Sequence, residues 1–105
     1  MSMLTNYNKK NYALILIKQN INLFNLFSNV YLFGSILDPK NHSHDIDILL
    51  TYSTYSDRLI ENINRIYYTL NNISKLPVDI TALSITEENE IEFLKKQNLN
   101  YFKVK

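Results

Sequence analysis

The chain has 105 residues, 46% of them hydrophobic and 20% charged, which is typical of a single globular domain over residues 1–105. Its net charge of +1 gives no broad basic surface, so direct nucleic-acid binding is not expected. The absence of cysteine excludes disulfides and thiolate chemistry and is compatible with a cytoplasmic protein. No signal peptide is recognised, and the apolar run at residues 13–17 is too short to span a membrane.

The first predicted element is a helix over residues 9–29. Apolar residues recur there at helical spacing in two stripes, which together cover more of the helix than a surface helix normally buries. The first stripe is Leu14, Ile17, Ile21 and Phe24, and the second is Leu16, Leu23 and Phe27. Two interpretations follow: the helix lies across a sheet with a wide buried face, or part of that face binds another protein.

A buried strand is predicted over residues 30–33, ending at Gly34-Ser35. A short turn is expected directly after Ser35, and the composition of residues 38–44 is typical of a loop. His42 and His44 could be considered as zinc ligands, but the chain has no cysteine and no third histidine to complete a tetrahedral site. They are therefore interpreted as loop residues.

A second strand, expected to be central in the sheet, is predicted over residues 44–52, and two acids lie at its start. Asp45 and Asp47 alternate with apolar residues, so their carboxylates share one face of the strand, about 6.5–7 Å apart. Like charges in this arrangement repel each other unless a cation lies between them, and oxygen ligands suit Mg²⁺. The alternative interpretation is a pair of acids that caps a turn.

The second half of the chain has a similar alternation of elements. A helix is predicted over residues 56–73 and a third strand over residues 76–83. Ser84-Ile85-Thr86-Glu87 is a capping-box pattern, so one last helix is expected over residues 84–96. Residues 98–105 are expected to form a short extended tail.

A third acid, Asp79, lies within the third predicted strand, among neighbours that favour strand formation. Aspartate is depleted in strands, so its presence here indicates a specific role. If the strand pairs beside Asp45 and Asp47, three carboxylates converge, and these could hold two Mg²⁺ ions about 3.5–4 Å apart for displacement at phosphorus. The alternative is an aspartate that caps a neighbouring turn.

Taken together, these motifs resemble those of the nucleotidyltransferase superfamily of DNA polymerase beta. The resemblance rests on Gly34-Ser35, then Asp45-Ile46-Asp47 about ten residues later, then Asp79 on a later apolar strand, and it covers about residues 30–83. The small size resembles the minimal nucleotidyltransferases, which are often encoded beside a HEPN-domain toxin. The resemblance implies a mixed α/β domain, with a small mixed sheet of three or more strands and helices packed on it.

The resemblance also implies a metal-dependent transferase. The three aspartates, Asp45, Asp47 and Asp79, would be the catalytic and metal-binding residues, with two Mg²⁺ ions. Gly34 and Ser35 would bind the phosphates of ATP. The implied reaction moves AMP to a tyrosine of a HEPN-type toxin, which makes this chain the antitoxin of the pair.

Two other functions are weighed against this one. Many relatives carry an arginine just after Gly-Ser, where this chain has Ile36-Leu37. Its absence favours a non-catalytic antitoxin that neutralises its partner by occlusion, whereas the three acids favour catalysis. The third possibility is a small-molecule nucleotidyltransferase that acts as a dimer. It has the least support, because 105 residues leave no room for the extra domains of the larger relatives.

Overall fold

A computed structural model describes residues 6–37, 45–96 and 100–105 of the chain. Its four strands are β1 (Asn29–Phe33), β2 (Ile46–Tyr52), β3 (Val78–Ser84) and β4 (Tyr101–Lys103). They form one mixed sheet in the order β3-β2-β1-β4, in which β1 is antiparallel to β2 and to β4, and β2 is parallel to β3. The predicted mixed α/β class is therefore confirmed, and β2 is a central strand as expected.

The helices of the described ranges are α1 (Asn6–Gln19), α2 (Asp57–Ser74), α3 (Ile85–Ile91) and α4 (Phe93–Lys96). Two short 3-10 helices, Ile21–Phe24 and Ser35–Leu37, precede and follow β1. Within these ranges, no helix combines the length and the hydropathy that crossing a membrane requires.

The hydrophobic core lies between one face of the sheet and the helices α1 and α2. Alternate strand residues point into it, because successive side chains of a strand face opposite sides. The sheet contributes Val30, Leu32, Ile46, Ile48, Leu50 and Val78, and the two helices contribute Ala13, Leu16, Ile17, Leu59, Ile66 and Leu70. Burial of such side chains from water stabilises each by about 1.5–3 kcal/mol.

The prediction of one helix over residues 9–29 is wrong. α1 ends at Gln19, and the rest of the range forms a 3-10 helix and the start of β1. The side chain of Asn20 donates a hydrogen bond to the Leu16 carbonyl (2.9 Å), and its backbone N–H bonds to the Ile17 carbonyl (3.1 Å). Both bonds compete with continuation of the α-helix, which is why asparagine favours helix ends.

The two stripes predicted on that helix nevertheless share one core. Leu16 and Phe27 of the second stripe are only 3% and 2% exposed, and Leu23 packs partly buried beside them. The interpretation as a wide buried face therefore holds for these residues, and they are not a free docking surface.

The last helix was predicted with the correct start, but the prediction of one continuous helix is wrong. Ser84 and Glu87 form the predicted capping box, with both reciprocal hydrogen bonds at 2.9 Å. The helix then breaks at Glu92, whose left-handed conformation (φ +51°) separates α3 from α4. After the break, the Phe93 ring packs edge-on against Phe33 of β1, with 5.2 Å between the centroids. Of the tail predicted over residues 98–105, residues 101–103 are extended and pair with β1 as β4, and residues 98 and 99 lie outside the described residues.

Candidate active site

Two of the three predicted acids are direct neighbours in the sheet. The parallel register of β2 and β3 pairs Asp47 with Asp79, so both side chains leave the same face of adjacent strands. Asp45 immediately precedes β2 and lies two residues before Asp47. The fold therefore brings Asp47 and Asp79 together where β2 and β3 begin, on the face of the sheet opposite the main core, and Asp45 is close enough to repel the charge of Asp47.

The electrostatics of the cluster are dominated by negative charge. The pKa of Asp47 is raised from 3.8 to about 6, chiefly because burial disfavours its charged form, and further because Asp79 and Asp45 repel that charge. Asp47 is half-buried, whereas Asp45 and Asp79 are exposed. At neutral pH Asp47 is therefore ionised at an energetic cost that a bound cation would reduce.

Gly34 brings the second part of the motif to the same place. Phe33, the last residue of β1, pairs with Asp47, so Gly34 begins its turn directly beside the acidic cluster. Its φ is +84°, and a Cβ at this position would lie 2.5 Å from Oδ2 of Asp47. Glycine is thus required twice here, for the backbone conformation and for the close approach of the carboxylate.

Ser35 begins the short 3-10 helix that follows Gly34 and is half-buried. The N–H of Leu37 bonds to the Gly34 carbonyl (3.1 Å), which closes the turn. Ile36, which follows Ser35, is only 2% exposed and belongs to the hydrophobic core. The turn therefore presents Gly34 and Ser35 beside the acids and points Ile36 into the protein.

A residue that the sequence analysis missed holds this turn from the other side. The Gly34 N–H donates to the backbone carbonyl of Asn100, and the side-chain amide of Asn100 donates to the Gly34 carbonyl, both at 3.3 Å. Asn100 directly precedes β4 and follows Gly34 by 66 residues. No local pattern marks it, because the contact depends on the pairing of β4 with β1.

Aromatic side chains flank the acids on their face of the sheet. Phe33, paired with Asp47, packs against Phe93, and beside it Tyr31 packs edge-on against Tyr101, with 5.8 Å between the centroids. Burial raises the pKa of Tyr31, with smaller contributions from nearby ionisable groups. Phe33 and Tyr31 therefore lie on the same face of the sheet as Asp47.

The donor chemistry of the cluster suits a hard cation, because all its metal-ligating atoms are carboxylate oxygens, and burial together with repulsion from Asp79 and Asp45 raises the pKa of Asp47. Among the residues that the structure describes, however, no three acidic, histidine or cysteine side chains already stand in an arrangement that could hold a metal ion. Metal binding by Asp45, Asp47 and Asp79 therefore stays a prediction. His42 and His44 lie outside the described residues.

Comparisons with known proteins identify the family and the fold of the chain. A family model described as polymerase beta, nucleotidyltransferase, matches residues 17–100. The crystal structure of a protein from Sulfolobus solfataricus, described as a candidate nucleotidyltransferase, matches with a TM-score of 0.53 and 20% sequence identity, covering 85% of this chain and 82% of that one. At this identity the likeness shows a shared fold. No protein of curated function matches the sequence significantly.

Proposed function

Because the chain belongs to the polymerase beta nucleotidyltransferase family, we propose that it transfers AMP from ATP to a hydroxyl group of a partner protein. Family membership supports nucleotidyl transfer in general. The choice of ATP as the nucleotide and of a protein hydroxyl as the acceptor is part of the proposal. The main support for this proposal is that Gly34, Asp47 and Asp79 lie together at the N-terminal ends of β2 and β3.

The three aspartates, Asp45, Asp47 and Asp79, are proposed to hold Mg²⁺. When bound, Mg²⁺ supplies positive charge to the triphosphate and to the departing pyrophosphate. The raised pKa of Asp47 supports this assignment, since a carboxylate whose charge is destabilised by burial and by neighbouring acids is stabilised by a nearby cation.

The turn residues and Asp79 are proposed to act on the substrate directly. Gly34 and Ser35 bind the terminal phosphates: Ser35, at the start of the 3-10 helix, offers its hydroxyl and N–H, and Gly34 forms the turn that places them beside the acids. Asp79 accepts the proton of the acceptor hydroxyl. The hydroxyl oxygen then forms a bond to the α-phosphorus while the bond from that phosphorus to the bridging oxygen breaks, and pyrophosphate leaves. Positioning and charge neutralisation supply most of the rate enhancement.

The acceptor is proposed to be a tyrosine of a HEPN-type toxin, with this chain acting as its antitoxin. β3 is an edge strand of the sheet, and Asp79 is exposed on it. An acidic residue at an open edge is accessible to a side chain carried by a second protein. The resemblance of the motif to minimal nucleotidyltransferases supports the choice of partner.

The test combines the protein with a purified HEPN-type toxin, ATP and Mg²⁺. Wild-type protein is expected to add the mass of one adenylyl group to the toxin, and the added mass should persist after the two proteins are separated. Asp79→Asn should abolish the modification, whereas Glu61→Gln, which removes an exposed carboxylate of α2, should leave it intact. Absence of modification with wild-type protein would refute the transfer proposal for this acceptor.

A non-catalytic antitoxin is the second candidate, and one observation favours it. Ile36 is buried in the core, so the position at which many relatives carry arginine offers no cation to a triphosphate. Occlusion predicts that Asp47→Ala protects against the toxin as well as wild type does, with no modified toxin in either case. The exposed apolar residues of α1 and α2, such as Ile15 and Tyr68, would then be the surface to test by substitution with aspartate.

A further inference from the structure

The C-terminal segment continues the sheet up to the edge of the candidate site. β4 pairs with β1 through Phe33 and Tyr101, and the next residue pair is Gly34 and Asn100. In an antiparallel ladder a hydrogen-bonded pair exchanges two N–H···O bonds. At Gly34 one of them is present in its usual form, from the Gly34 N–H to the Asn100 carbonyl, and the second comes from the Asn100 side-chain amide.

These bonds engage both backbone polar groups of Gly34. Its N–H has one acceptor in Asn100, and its carbonyl has two donors, the Leu37 N–H and the Asn100 amide. Glycine at a φ of +84° has no side chain to restrict it and would otherwise sample several backbone conformations. The hydrogen bonds to Asn100 therefore select the conformation in which the Gly34 backbone lies against Asp47.

Asn100 is itself held in place by the residues that follow it. Tyr101 packs on the ring of Tyr31, and the Val104 N–H donates to the Val30 carbonyl at 2.8 Å. The terminal lysine, Lys105, donates from its Nζ to the carbonyls of Phe24 and Phe27. The position of Asn100 is thus set by contacts along β1 and the preceding 3-10 helix.

We propose that Asn100 is a positioning residue of the nucleotide site, which fixes Gly34 in the conformation that presents Ser35 to the substrate phosphate. The inference rests on the proposed nucleotidyl transfer and deepens it, because it makes the C-terminal strand a part of the site. Asn100 acts through Gly34 and needs no contact of its own with the nucleotide.

The test uses the fact that Gly34 is the one glycine of the chain. Labelling with ¹⁵N-glycine gives a single glycine amide signal, which reports on this turn alone. Asn100→Ala should move that signal in the nucleotide-free protein and weaken the binding of Mg²⁺-ATP about three- to tenfold, the effect expected for one lost hydrogen bond. Lys103→Ala, an exposed substitution on β4, is the matched control and should change neither measurement.

The outcomes separate this inference from the proposed function. An unmoved glycine signal in Asn100→Ala, or a moved signal with unchanged Mg²⁺-ATP affinity, overturns the positioning role. If Asn100→Ala does not fold, Asn100→Leu takes its place, because it keeps much of the volume of the side chain, adds no charge and loses the donor. A wild-type protein that binds no Mg²⁺-ATP refutes the proposed function, while the glycine signal still decides whether Asn100 fixes Gly34.

Discussion

The carboxylate of Asp47 lies so close to Gly34 that a Cβ on the glycine would stand 2.5 Å from Oδ2. The two residues belong to different parts of the sequence motif, and the antiparallel pairing of β1 with β2 brings them together. The glycine and the acid therefore form one structural unit, in which the turn limits where the carboxylate can lie.

Gly34→Ala is expected to damage this unit in two ways. The alanine side chain must displace the Asp47 carboxylate, and alanine is strained at a φ of +84°. We expect a loss of about 1–3 kcal/mol in the free energy of unfolding, measured by urea denaturation, together with a loss of Mg²⁺-ATP binding. Ser35→Ala, one residue further on, is the control and should leave stability nearly unchanged. Full stability and binding in Gly34→Ala would contradict this account.

Asp47→Asn is expected to stabilise the metal-free protein in a pH-dependent manner. The folded-state pKa of Asp47 is about 6 against an ordinary value of 3.8, so the folded protein binds more protons than the unfolded chain between these values. Wild-type stability attributable to Asp47 therefore falls as pH rises through that window, and the loss is complete above it. Asparagine does not titrate, and it removes the repulsion.

The measurement is urea denaturation of wild type and Asp47→Asn at about pH 4 and about pH 7.5. The variant should gain about 1–2 kcal/mol relative to wild type between the two conditions, a value reduced to allow for solvent screening of a half-exposed group. Glu61→Gln, at an exposed position of α2, should show no comparable gain. A variant whose advantage is equal at both pH values would show that the cost of ionising Asp47 in the folded protein is not the cause.

Nucleotide binding is expected to depend on a divalent cation. Wild-type protein should bind ATP with Mg²⁺ or Mn²⁺ and bind it much more weakly in EDTA, because the negative charges around Asp47 repel the triphosphate. The double variant Asp45→Asn with Asp47→Asn should lose this dependence while it remains folded. Isothermal titration calorimetry with and without Mg²⁺ measures both effects. Equal affinity of wild-type protein under the two conditions would argue against a metal site at these aspartates.

The elements near the site could be predicted from sequence because strand alternation is a local property. Asp45, Asp47 and Asp79 were each assigned to a strand by their apolar neighbours. The structure places Asp47 in β2 and Asp79 in β3, whereas Asp45 precedes β2, and the pairing of Asp47 with Asp79 depends on the register of the two strands. The end of α1 and the break at Glu92 were not predicted, since the apolar periodicity continues across both. There, asparagine hydrogen bonds and a tertiary contact of Phe93 override the periodic pattern.

Asn100 could not be predicted for a different reason. Its contact with Gly34 exists only because β4 pairs with β1, and a three-residue strand gives too weak a local signal to fix its register. An extended tail is predicted there from composition, but no local pattern identifies the strand with which it pairs. A residue of the site that is brought in by strand pairing is therefore found from the structure alone.

The last prediction concerns the side chain that anchors this tail. Nζ of Lys105 donates to the carbonyls of Phe24 and Phe27 at 2.9 and 2.8 Å, where the 3-10 helix before β1 ends. Lys105→Met keeps the length of the side chain and removes the donor, and we expect it to lower the free energy of unfolding by about 1–3 kcal/mol. Urea denaturation measures the change, with Lys103→Met, at an exposed position of β4, as the control.

Because Lys105 and Asn100 lie on the same segment, the anchor should also affect the candidate site. Loss of the Lys105 side-chain bonds is expected to broaden or shift the single Gly34 amide signal, since β4 then holds Asn100 less firmly against the turn. Lys103→Met should leave the signal in place. If Lys105→Met lowers stability and the Gly34 signal does not respond, the anchor stabilises the fold without controlling the turn, and Asn100 is held by the pairing of β4 with β1 alone.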